Sequence, residues 1–221
     1  MTREQVQGLA RLRSGLAAHY RADAANQVAA AASLTALAQR LEDPGVALTP
    51  GAGRRDLPAL ALLPEALAAA RQGPLGVLAD ALTLLEPALS WIQNANYSAE
   101  RVGRHYLDGY AYTTVMGPDG LLLADDLLVS ILLIGPNRHY PAHAHAAEEV
   151  YHPLAGRALW WREGEDWEAR EPGAAIHHRP WQAHATRTGA QTLLAVASWR
   201  GDPRRKPALT DAIETPALPE W

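Results

Sequence analysis

The sequence predicts an α+β protein, mainly β, in which a helical N-terminal extension (residues 1–95) packs on a C-terminal β-barrel (residues 96–221). Apolar residues recur at helical spacing through the first ninety-odd positions. From about Gly109 the apolar runs become short and are divided by turn signals. Seven of the nine histidines then gather within residues 139–184, so the chemistry belongs to the barrel.

In the helical portion, Val6, Leu9, Leu12, Leu16 and Tyr20 fall on one face of a first helix. A second helical run covers roughly 24–41 and is stopped by Asp43-Pro44-Gly45. The Gly- and Pro-rich stretch 45–55 reads as a loop. Two more amphipathic helices are predicted over 57–71 and 75–91, separated by Gly73-Pro74.

The predicted strands are 110–115, 121–124, 127–134, 149–154, 158–162, 174–178 and 192–198, most of them rich in Leu, Val or aromatic residues. Gly117-Pro118-Asp119-Gly120, Gly135-Pro136-Asn137, Gly156, Pro172-Gly173 and Gly189 punctuate them. Many short strands at such spacing indicate a sandwich or barrel. The segment RGDPRRKP after Trp199 reads as an exposed tail.

Composition narrows the chemistry. At 221 residues, 48% hydrophobic and 20% charged, the chain can bury a normal core. A net charge of −4 argues against a protein that coats nucleic acid or an anionic membrane. The longest apolar stretch, 121–134, is broken by Asp125, Asp126 and Ser130, so no membrane span is expected. No secretory leader is evident at the N-terminus, and a cytoplasmic location is the expectation. Cysteine is absent, which removes disulfides, thiolate metal sites and cysteine nucleophiles together. Phenylalanine is absent too, so the aromatic content is 7 Trp and 7 Tyr.

The sharpest histidine arrangement is Tyr140-Pro-Ala-His143-Ala-His145-Ala-Ala-Glu-Glu149-Val-Tyr151. On extended chain, residues two apart share a face, so His143 and His145 point together, as do Glu149 and Tyr151. A turn over 146–148 would bring two imidazoles and a carboxylate onto one ion. His184, from a strand downstream, would add a fourth ligand, with His177 and His178 as competitors for that place. Spacing favours Glu149 over Glu148. His139 is expected to face solvent in a loop, and His152 to point away from Tyr151. Imidazole and carboxylate together suit one divalent transition metal ion, whether zinc, iron, manganese, nickel or cobalt.

His143-x-His145-x3-Glu149-x6-Gly156 resembles the first motif of the cupins, and Pro172-Gly173 followed by His184 resembles the second at a longer spacing. Within the cupins, Y-P-x-H-x-H-x3-E-x-Y, the downstream HATRT at 184–188 and the helical extension resemble the bacterial dimethylsulfoniopropionate lyases of the DddQ and DddL types. The resemblance implies a double-stranded β-helix, or jelly-roll barrel. It also implies a metal shell of His143, His145, Glu149 and His184, a catalytic base at Tyr151, and a second active-site tyrosine at Tyr140. The implied reaction is a β-elimination that splits dimethylsulfoniopropionate, a zwitterionic sulfonium carboxylate, into dimethyl sulfide and acrylate. By the same analogy a homodimer is expected.

Physical chemistry is consistent with that reaction. A metal on the substrate carboxylate stabilises charge developing beside it, and a sulfonium leaves without acid assistance. A base is the remaining need, and a nearby cation favours a tyrosine phenolate. The cationic end of the substrate calls for an aromatic face. Trp199, Trp181 and Tyr140 are the candidates taken, with Tyr106 and Tyr110 behind them, and alternation lets only one of Trp160 and Trp161 face inward. The same ligands would equally suit another metal-dependent cupin enzyme, a dioxygenase or an isomerase, or a non-catalytic ligand-binding cupin.

Overall fold

A computed structural model of the chain describes residues 1–43, 48–49, 56–210, 213 and 215–217. Its helical portion begins with α1 (Arg3–Ala24), opened by a capping box in which Thr2 accepts from the Gln5 backbone and the Gln5 side chain accepts from Thr2. Leu9, Leu12, Leu16 and Tyr20 of α1 are buried as the periodicity predicts, while Val6 is exposed. The second helical run divides into the end of α1, a 3₁₀ turn (Val28–Ala30) and α2 (Ala31–Glu42). Most of the predicted loop 45–55 lies outside the described residues. Leu48, inside it, bridges to Leu122.

The predicted helix 57–71 opens with a 3₁₀ turn (Pro58–Leu62) and continues as α3 (Leu63–Arg71). The predicted helix 75–91 is shorter than expected: α4 (Gly76–Leu85) passes into a 3₁₀ turn (Glu86–Ala88), and Leu89 is already extended. Pro87 has no N–H to continue the ladder. Two short helices, α5 (Ala99–Val102) and α6 (Arg104–Asp108), lead into the barrel. No helix among the described residues is long and apolar enough to cross a membrane.

The strands are β1 (Tyr110–Gly117), β2 (Leu122–Leu123), β3 (Leu127–Ile134), β4 (His139–Ala144), β5 (Glu148–Ala155), β6 (Ala158–Arg162), β7 (Glu168–Arg170), β8 (Ile176–His178), β9 (His184–Thr188), β10 (Leu193–Arg200) and β11 (Ala208–Leu209). One sheet has the order β2-β1-β3-β10-β5-β8, the other β11-β4-β9-β6-β7. From β3 onward the chain passes between the sheets at almost every step. Strands β3, β5, β8 and β10 lie in the first sheet, and β4, β6, β9 and β11 in the second, with β7 added beside β6. This is the cupin jelly roll, and with the helices it makes an α+β fold.

Both faces of the larger sheet are covered, which explains why all of β3 is buried. Val129, Ile131 and Leu133 pack with the helices, together with Val150, Leu154, Leu194 and Val196. The alternate residues Leu132, Ile134, Tyr151, Leu193, Ala195 and Ala197 line the barrel interior. In the second sheet Trp160 faces inward with Tyr151, whereas Trp161 packs with Trp167 on the outside.

The RGDPRRKP segment is not simply an exposed tail. Its arginines are exposed, but Pro203 and Pro207 are buried, and the chain continues into β11. That strand pairs Ala208 with Ala144 and Leu209 with His143, covering an edge of β4 that would otherwise have no partner.

Candidate metal centre and its cavity

The centre is assembled by two local departures from a regular strand. Between β4 and β9, Tyr140 pairs with Thr186 and His143 with His184, so Pro141 and Ala142 together oppose one residue. This bulge lets Tyr140 and His143, three apart in sequence, both face the barrel interior. Their rings stack at 4.0 Å and 14°. The chain then leaves β4 at His145, crosses to the other sheet, and enters β5, whose inward positions are Glu149 and Tyr151.

His143, His145, Glu149 and His184 are each at most 2% exposed. His145 Nε2 lies 2.9 Å and His184 Nε2 3.2 Å from the same Glu149 oxygen. Ligand atoms of His143, His145 and His184 all lie within 4.8 Å of one another. Each of these imidazoles donates from Nδ1 to a backbone carbonyl: His143 to Pro141 at 2.8 Å, His145 to Ala147 at 3.0 Å, His184 to Gln182 at 2.9 Å. With Nδ1 tied to a carbonyl, each Nε2 points into the centre, the orientation of a metal-bound histidine. His143 Nε2 and His184 Nε2 are buried without a hydrogen-bond partner. Three imidazoles and a carboxylate thus fit a divalent transition metal ion.

The electrostatics follow the burial. Desolvation lowers the His143 pKa well below its ordinary value, and the neighbouring His184 and His145 lower it further, so the ring is neutral at pH 7. Burial alone would raise the Glu149 pKa, but its contacts with His145 and His184 offset this and hold the carboxyl well below the usual range. Tyr151 is pushed well above 10 by burial and then by the Glu149 charge, to which its phenol donates a hydrogen bond.

The competing histidines separate. His177 Nε2 pairs with Glu148 at 2.8 Å, and Glu148 also accepts from Ser33 on α2, away from the centre. His178 is inside, stacked on His184 at 4.0 Å and 19°, with neither ring nitrogen hydrogen-bonded. Glu149, His178 and His184 form a second close group of possible ligands, so His178 stands directly behind the four predicted residues. His139 opens β4 and is exposed, and His152 faces the helices.

A cavity opens onto Glu149. It is lined by Tyr110, Tyr112, Tyr140, Tyr151 and Trp199, by Asn94 and Ser130, and at its rim by Lys206. Trp199 stacks on His145 at 4.2 Å and donates from Nε1 to Glu149 at 2.6 Å. Trp181 lies elsewhere: it is 52% exposed, in the left-handed region at φ 62°, with the Arg205 guanidinium 4.7 Å from its ring centre. Its backbone N–H donates to the His145 carbonyl.

Sequence reasoning missed Tyr97, whose hydroxyl shares a 2.9 Å hydrogen bond with Tyr140, and also Asn94, Ser130 and Lys206. One signal was available. Where no Phe exists, each Tyr marks a ring that also carries a hydroxyl, and six of the seven tyrosines gather on this cavity and the aromatic layer behind it.

Comparison with known proteins places these observations. Dimethylsulfoniopropionate lyase DddQ of Ruegeria pomeroyi is 34% identical over 114 residues, 52% of this chain and 57% of that protein. A relative from Cereibacter sphaeroides named for DddL is 33% identical over 151 residues, 67% of this chain and 61% of its own. The aligned regions therefore span less than two thirds of both relatives. The crystal structure of DMSP lyase DddQ from Ruegeria pomeroyi superposes with a TM-score of 0.65 at 27% identity, covering 87% of this chain and 96% of that one. A crystal structure described under the DMSP lyases RdDddP and RnDddQII gives a TM-score of 0.69 at 23% identity, covering 93% and 99%, and supports the fold. The profile of the dimethylsulfoniopropionate lyase family matches residues 29–195, from just before α2 into β10. That match takes in α2 to α6 and the barrel strands β1 to β9, and the chain belongs to the dimethylsulfoniopropionate lyase family.

Proposed function

We propose that the protein is a metal-dependent carbon–sulfur lyase that cleaves dimethylsulfoniopropionate into dimethyl sulfide and acrylate, with Tyr151 as the base. The observation that carries this reading is the juxtaposition, in a chain of this family, of four buried metal-type donors with a cavity walled by tyrosines and Trp199. A divalent ion held by His143, His145, Glu149 and His184 supplies Lewis acidity toward the substrate carboxylate and a positive charge that favours the Tyr151 phenolate.

The chain's own residues do the rest. Tyr151 takes the proton from the carbon next to the carboxylate. The electron pair left behind becomes the new C=C bond as the bond from the β-carbon to sulfur breaks, and the sulfonium departs as neutral dimethyl sulfide. Tyr140, held by its stack on His143 and its hydrogen bond to Tyr97, orients the substrate beside Tyr151. The faces of Trp199 and Tyr110 receive the sulfonium. Trp181 is left out of this binding role, because it sits on the outer surface.

The test is to incubate metal-reconstituted protein with dimethylsulfoniopropionate and follow headspace dimethyl sulfide and acrylate. Tyr151→Phe is expected to lower turnover by about 10²- to 10⁴-fold with metal retained, and His184→Ala to lose metal and turnover together. Absence of both products with every one of the five candidate metals would overturn the substrate assignment. Full activity in Tyr151→Phe would remove the base.

A further inference from the structure

On the opposite face of β5 from Tyr151, the barrel meets α1 through a polar cluster that the proposed reaction does not use. His152 is fully buried there, and its Nε2 lies 2.7 Å from Asp23 Oδ2. One helical turn before Asp23, His19 places its own Nε2 3.4 Å from the same oxygen. The two imidazoles meet edge to face at 4.7 Å. His19 Nε2 is buried yet makes no hydrogen bond. Ligand atoms of His19, Asp23 and His152 all lie within 4.8 Å of one another.

The arrangement repeats the one at the barrel centre, where two imidazole nitrogens stand 2.9 and 3.2 Å from one carboxylate oxygen. Ligands held tetrahedrally at ~2.1 Å from a zinc-class ion are about 3.4 Å apart. The local electrostatics call for a cation. Burial would raise the Asp23 pKa, but the His152 hydrogen bond and the His19 ring hold it below the ordinary value, so it is an anion. It lies in the last turn of α1, where the helix carbonyls already present negative charge. The His19 pKa is lowered by burial and then by the His152 ring, so His19 is neutral at pH 7. The nearest basic side chain of that turn, Arg21, is committed to Glu42. Side-chain exposures of 17% for His19 and 20% for Asp23 leave a solvent side for a fourth ligand.

We infer that His19, Asp23 and His152 form a second divalent-metal site, of zinc class, that pins α1 to the back of the strand carrying Glu149 and Tyr151. The inference does not rest on the lyase reading.

The test measures bound zinc on the full chain, stripped with chelator and re-equilibrated, in wild type, His19→Gln, His143→Ala/His145→Ala and the triple variant. His19 is partly exposed and glutamine is a good helix former, so circular dichroism is expected to be unchanged in His19→Gln. Wild type is expected to hold one more equivalent of zinc than His19→Gln. Zinc is expected to raise the Tm of the His143→Ala/His145→Ala protein and to leave the triple variant unmoved. Equal zinc content in wild type and His19→Gln overturns the site and leaves a hydrogen-bonded helix–barrel contact. The central site is read separately, from the equivalent lost in His143→Ala/His145→Ala, so failure of one assignment does not mimic failure of the other.

Discussion

Trp199 shows how much of the centre depends on a residue that need not touch the metal. Its indole N–H donates to the Glu149 oxygen not shared with His145 and His184, and its ring lies flat on His145. Partners of this kind fix ligand orientation, and their loss typically costs roughly 10- to 100-fold in metal affinity. Trp199→Phe keeps the aromatic face and removes the donor. It is therefore expected to weaken metal binding by about that factor while the far-UV spectrum stays unchanged, measured by competition with a chromophoric chelator. From sequence, Trp199 is legible only as a candidate aromatic face for the substrate cation. The hydrogen bond could not be foreseen, because it depends on β10 and β5 pairing Trp199 opposite Glu149. Tyr97 was invisible for a similar reason: it reaches Tyr140 from a loop before the barrel, and only tertiary packing brings the two hydroxyls together.

At the scale of single elements, motif glycine and motif bulge have separate duties. Gly156 turns the chain between β5 and β6 at φ 80°, and a Cβ there would collide with the Thr192 carbonyl. Gly156→Ala is expected to destabilise the protein by about 2 kcal/mol or more, combining left-handed strain with steric overlap, and a denaturant titration would show it. The bounds of β3 and β6 are as the sequence predicts, because a continuous apolar run and its flanking turns agree there. Alternation alone could not give β4. Its inward residues Tyr140 and His143 are three apart, and the bulge responsible has no signature in a stretch of Pro, Ala and His. The lengths of α3 and α4 were overestimated because Pro58 and Pro87 turn their ends into 3₁₀ turns without disturbing the apolar spacing.

Across the whole molecule, the helices and the larger sheet share one core, with Leu12, Leu16, Leu34 and Leu82 in the same cluster as Ile131, Leu133, Val150 and Val196. A fragment of residues 96–221 would expose that sheet face to water, and is expected to be recovered in the pellet to a greater extent than the full chain expressed beside it. A soluble fragment with a cooperative melt would show instead that the barrel stands alone. The change of periodicity near Gly109 told where helix gives way to strand. It did not tell that the outward residues of the strands are as apolar as the inward ones because helices cover them. The sheets themselves are bounded in a uniform way. Their four outermost strands, β2, β8, β11 and β7, are only two or three residues long, while the eight-residue ladders lie inside. A flank that short offers almost no row of free amides on which a second copy could template itself. The two residues of β11 therefore act as a stopper, and the His143 strand can hold a ligand at the rim of its sheet without seeding aggregation.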